Sequence, residues 1–217
     1  MKSFSTALIV CAAMLSSACS TVYYGTMEKV GIHKRDILVD RVEDTRDSQE
    51  EAQEQFKSAL EKFGSVVKIE DSNLKSYYES LNDEYENSKE AAEEVSDRIN
   101  AVEDVAEDLF DEWSDEIETF SNPEFKRSSK AQLRDTQSRY KTMLASMRKA
   151  ESSMKPVLKT FHDNVLFLKH NLNAQAIGSL KSEFGALKSN IDQLINRMNQ
   201  SIEQSDEFIA EMRKQSA

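Results

Sequence analysis

The sequence predicts an all-α protein, a long antiparallel up-down-up-down helical bundle with coiled-coil packing, on three observations. From about His33 onward only Gly64, Pro123, Pro156, Gly178 and Gly185 interrupt a stretch rich in Glu, Lys, Ala, Ser and Gln. That is the composition of long helices. Apolar residues recur in alternating steps of four and three, which keeps one seam turned toward a partner helix. Acidic and basic runs also face each other, in register, across one expected turn.

The chain opens differently. Lys2 gives a short positive start, Phe4 to Leu15 is an apolar run of twelve residues, and Ser16-Ser17-Ala18 puts small side chains directly before Cys19. This is the pattern of a bacterial export signal, too short for the ~20 apolar residues that span a bilayer. In "MLSSACST" a cysteine after small residues resembles a lipobox, in which the thiol is lipidated and cleavage leaves it as the first residue. Ser16 stands where such boxes more often carry Leu, and ordinary signal cleavage beside an incidental cysteine is the alternative. Ser20, not Asp, follows the cysteine, which by analogy with lipoproteins points to the outer membrane.

Residues 1–18 are therefore expected to be a lipoprotein signal peptide, 19–31 the lipidated Cys19 and a tether, and 32–217 the bundle. With Cys11 removed and Cys19 a thioether, no thiol remains for disulfides, catalysis or thiolate metal sites. The whole chain has 28 Lys and Arg against 39 Asp and Glu, a formal charge of −11, and loss of Lys2 makes the mature chain one unit more acidic. Such a balance argues against nucleic acid and leaves membrane contact to the lipid.

The helices follow in order. A short, weaker run is Val42, Thr45, Gln49, Ala52, Phe56, Ala59 and Phe63, ending near Gly64 to Ser72. The strongest runs from Leu74 through Tyr78, Leu81, Tyr85, Ser88, Ala92, Val95, Ile99, Val102, Ala106 and Leu109 to Trp113, and Asn122-Pro123 ends it because proline disfavours helix in the residue before it. The third takes Leu133, Gln137, Tyr140, Leu144, Met147, Glu151, Met154, Leu158, Phe161, Val165, Leu168 and Leu172, with Pro156 expected to kink it. The fourth takes Leu180, Phe184, Leu187, Ile191, Leu194, Met198, Ser201, Ser205, Phe208 and Met212. Ser88 and Glu151 read as register-setting polar positions, and the aromatic residues as core.

Folding back is favoured over one continuous rod. Glu103 to Glu118 holds nine acids and no base, while Lys126, Arg127, Lys130, Arg134, Arg139, Lys141 and Arg148 follow the turn. Each run opposes its own helix dipole by ~0.3–1 kcal/mol per group, so the compensation must come from another helix. An antiparallel hairpin would set Asp104 by Lys141, Asp111 by Arg134, Asp115 by Lys130 and Glu118 by Arg127. The second and third helices should be about fifty residues long, ~75 Å. The tether, the Asn122-Pro123 turn and the C-terminus then share one pole, and the Gly64 and His170–Asn173 turns share the other.

The segments "VSDRINAVEDVAEDLFDEW" and "VLFLKHNLNAQAIGSL" resemble a bacterial family catalogued as a domain of unknown function, DUF2959-like, over most of the mature chain. The resemblance implies lipoproteins with long coiled helices and supplies no catalytic residues. Its members have been likened to DNA-repair ATPases, but no GxxxxGK[ST] spacing exists among the five glycines. His33, His162 and His170 are too scattered for a metal site. No catalytic residue, metal or cofactor is expected.

The expected function is a lipid-anchored scaffold or adaptor on the periplasmic side of the outer membrane that binds other envelope proteins. A sensor or regulator of an envelope enzyme is the alternative, an enzyme of unknown chemistry the third. Self-association is compatible with the same seams. His170 and Asn171 are the candidate partner-binding residues, because their turn projects farthest from the tether. Asn173 should cap the fourth helix, and Lys169 and His170 suit the end of the third.

Overall fold

The structure, a computed structural model, describes residues 34–68 and 73–216. The expected signal peptide, Cys19 and the tether lie outside the described residues. Four helices follow one another, α1 Lys34–Val66, α2 Leu74–Thr119, α3 Pro123–His170 and α4 Ala174–Ser216. Each packs on two neighbours: α1 and α3 both lie against α2 and α4. The result is a closed up-down-up-down ring with α1 the shortest member. At 46 and 48 residues, α2 and α3 are each ~70 Å long.

Cross-helix contacts define the direction of every element. Lys34 at the start of α1 pairs with Glu112 near the end of α2, at 2.7 Å, and the Arg35 guanidinium lies 3.9 Å from the centre of the Trp113 ring. Gln55 donates to Glu84 on α2, Arg46 reaches Asp206 on α4, and Arg213 reaches Glu43 on α1. The start of α1, the α2–α3 turn and the end of α4 therefore share one pole. The end of α1, the start of α2 and the α3–α4 turn share the other, as the heptad register implies.

Burial follows the expected seams closely in α1, α2 and α4. All seven seam residues of α1 are buried, including Thr45 and Gln49. At the far pole Phe63 is fully buried, edge-on to Phe161 with ring centroids 6.1 Å apart and stacked on Phe184 at 6.0 Å. Gly64 lets the Phe184 ring approach closely, since a Cβ there would lie a tight 3.1 Å from it. Midway along, Gln49 and Ser201 carry buried polar atoms with no hydrogen-bond partner among the described residues.

The seam of α3 differs from expectation. Leu133, Tyr140, Met147, Met154, Phe161, Val165 and Leu168 are buried as expected, but with them go Thr136, Met143, Ala150, Val157 and Asn164. Gln137, Leu144, Glu151 and Leu158 are only partly buried. A helix between two neighbours needs a stripe wider than a two-helix seam, and the steps of four then three traced its other edge. Leu172, expected to close the seam, is 45% exposed because α3 ends at His170. The helix itself runs unbroken through Pro156, which is exposed.

The hairpin register is as expected, but none of the four expected ion pairs forms. Glu118 accepts Lys126 at 2.7 Å and Lys130 at 2.8 Å, while Arg127 turns to Glu124 within its own helix. Arg148 bridges to Glu103 and Asn100. Equal height along a hairpin does not place two side chains on the same flank. Glu112, for instance, turns to α1 instead.

Candidate functional site

Among the described residues no group of three His, Cys, Asp or Glu could hold a metal ion, and no helix is long and apolar enough to cross a membrane. What remains distinctive is where large apolar side chains meet solvent. Phe120, Phe125, Leu166, Phe167 and Leu172 are the exposed members of this class among the described residues, and they flank the two helix turns at opposite poles.

The α3–α4 turn holds the expected candidates. Asn171 ends α3: its backbone N–H donates to the Leu168 carbonyl at 3.2 Å, and its side-chain Nδ2 donates to the Phe167 carbonyl at 2.9 Å. Both bonds satisfy carbonyls that the helix end leaves without partners. Asn173 accepts the Ala176 N–H at 3.1 Å and so caps α4, as its position implies. Asn171 is thus committed to the backbone through its amide nitrogen, whereas His170 is exposed. Leu166, Phe167 and Leu172, at 41%, 40% and 45% exposure, lie within four residues of the pair along the chain.

Leu172 reads as the last seam position by its spacing from Leu168, whereas Leu166 and Phe167 lie off the expected seam. A usable signal was present: Leu166 and Phe167 fall between the core positions Val165 and Leu168, so a helix that buries the latter must expose the former.

Around this turn α3 and α4 are basic, while on α2 Lys75 and Lys89 pair with Glu79 and Glu93. From Ser152 to Ser182 the only acid is Asp163, while Lys155, Lys159, Lys169 and Lys181 have no ion pair among the described residues. On the adjoining half of α2, Glu79, Asp83, Glu86, Glu90, Glu93 and Asp97 are all exposed. Along α3 the basic residues recur every seventh position, as Arg127, Arg134, Lys141, Arg148, Lys155, His162 and Lys169. Two of them touch α2, Arg148 by hydrogen bonds and His162 by its ring, 5.1 Å from that of Tyr85. The stripe therefore borders the α2–α3 groove.

The opposite turn is built more tightly. Asn122 accepts the N–H groups of Glu124 at 2.8 Å and Phe125 at 3.4 Å, and Pro123 occupies the first helical position, where no N–H is needed. Beneath it Trp113, Ile117 and Leu133 form a second, small core with Phe110 at its edge, and the Trp113 indole N–H donates to Ser129 at 3.0 Å. Hydrogen bonds from Lys126 and Lys130 hold the Glu118 carboxyl down to about 2. Burial pushes the Tyr140 hydroxyl, farther along α3, up to about 12.

No curated protein matches the chain. A family model, described as a protein of unknown function (DUF2959), matches residues 23–212 and so takes in all of α1 to α3, nearly all of α4, and residues 23–33 ahead of α1. On that match the chain belongs to the DUF2959 family.

Proposed function

We propose that this protein is a lipid-anchored helical scaffold or adaptor on the periplasmic side of the outer membrane, attached through Cys19. It binds other envelope proteins at its α3–α4 end. The observation that carries the reading is the placement of exposed apolar side chains: the helices bury their seams on one another, and the apolar surface left over gathers at the poles. Exposed apolar side chains clustered at a helix turn beside unpaired lysines suit protein docking better than catalysis. His170 belongs to this surface directly, and Asn171 contributes by holding the turn.

Two measurements test the reading. Metabolic labelling with a palmitate analogue should mark the wild-type chain and not Cys19→Ser, and label on the variant would end the anchoring claim. For the partner end, His170→Ala combined with Leu172→Ser leaves the Asn171 and Asn173 caps intact. Unchanged melting with loss of crosslinked envelope partners supports the site; unchanged melting with every partner retained refutes it.

A further inference from the structure

The α2–α3 hairpin extends past Lys34 of α1 and past Gln215 of α4, which lies against Gln132 and Thr136. Lys34, the first described residue, sits opposite Glu112, and α2 continues to Thr119 before turning. The hairpin thus stands ~10 Å beyond the start of α1 at 1.5 Å per residue. At its tip Phe120 is 43% and Phe125 63% exposed. Both are held by a capped turn over the Trp113, Ile117 and Leu133 core, so presenting them costs little further ordering. The cations beside them are neutralised in place, Lys126 and Lys130 by Glu118 and Arg127 by Glu124.

We infer that this turn is a foot that rests in the surface of the bilayer carrying the anchor, with Phe120 and Phe125 inserted at the headgroup boundary. This rests on the lipid-anchored reading. It arises because the start of α1, where the chain leads back to Cys19, lies at this same pole. Ser20 to His33 can reach at most ~50 Å at ~3.5 Å per residue, several times the overhang, so an acyl chain alone would leave the rod free to tilt. A second contact on the membrane orients it. Because Lys126, Arg127 and Lys130 are already paired and Asp115 and Glu116 lie exposed behind Phe120, the contact is apolar and gains nothing from anionic lipid. The opposite turn, with its unpaired lysines, is then directed away from the membrane.

The test attaches the full chain to vesicles chemically, so that it does not depend on natural acylation. A Cys11→Ser chain is coupled through Cys19 to a maleimide phospholipid in phosphatidylcholine vesicles containing brominated acyl chains. In a Trp113→Phe background, with helicity checked by circular dichroism, tryptophan is placed at one end or the other by Phe125→Trp or Phe167→Trp. Quenching at residue 125 and none at residue 167, unchanged in high salt, is the expected result. Absence of quenching at 125, or equal quenching at both ends, overturns the foot, and a protein partner on this turn would give the former. Failure of palmitate labelling at Cys19 would refute natural anchoring without changing this outcome. Phe120→Ser with Phe125→Ser should lower vesicle partition of the uncoupled chain by roughly tenfold through lost apolar contact.

Discussion

The two ends of the rod both expose large apolar side chains, yet they handle charge in opposite ways. At the α2–α3 turn acids on α2 face bases on α3 and pair across the hairpin, with Glu118 accepting two lysines, while Arg127 is tied to Glu124 within α3. At the α3–α4 turn Lys155, Lys159, Lys169 and Lys181 stay unpaired among the described residues, and on α2 Glu79 and Glu93 pair with Lys75 and Lys89 of their own helix. A formal charge of −11 conceals this difference, because a net value sums over faces that no partner meets at once. Under the proposed reading the paired end meets an uncharged membrane surface, and the end with unpaired lysines meets an acidic partner.

The largest effect should come from the core beneath the far turn. Phe63→Ala removes a fully buried ring in contact with Phe161 and Phe184 and should cost about 3–5 kcal/mol, read by thermal or urea unfolding. Phe125→Ser, at the other end, should leave unfolding within about 0.5 kcal/mol because that ring is already in water. A large loss from Phe125→Ser would mean that the two turns are not distinguished by function.

Reversing the far lysines sharpens the contrast in charge. Lys155→Glu with Lys159→Glu and Lys169→Glu should slow association with an acidic partner by roughly tenfold or more, with the gap closing in high salt. Reversal of Lys126 and Lys130 would instead act on local stability through Glu118. Equal effects of the two sets on partner binding would erase the distinction.

The caps are expected to differ less. Asn122→Ala and Asn173→Ala each remove one side-chain acceptor at a helix start and should cost about 1 kcal/mol, with Asn122 the costlier since it accepts two N–H groups. Hydrogen exchange at residues 123–126 and 174–177 would read each locally.

The smallest effects belong to pH. The Glu118 carboxyl, at about 2 in the folded chain, contributes stability that is complete above its ordinary value near 4.5 and lost as pH falls through about 2. Tyr140 has the opposite sign: its raised value near 12 gives stability that is present below its ordinary value of 10 and lost as pH rises through 12. Removing Lys126 and Lys130 together should abolish the acid step at the near turn, and retention of that step would assign it elsewhere.

Much of this molecule was determined along the chain itself. Heptad spacing specified four helices and the height at which each meets the next. Proline and asparagine at 122–123, and asparagine at 173, specified where two of them begin, because capping and ring constraints act within a few residues. Only the tertiary structure decided matters of angle. It selected Thr136, Met143, Ala150, Val157 and Asn164 as the second edge of the α3 seam, turned Glu112 toward Lys34, and left Leu172 in solvent. The reason is geometric: a period read along one helix gives axial position and a stripe, but which flank of that stripe is covered depends on where the other three helices stand. Exposure at the two ends is decided the same way, by how far each neighbour extends.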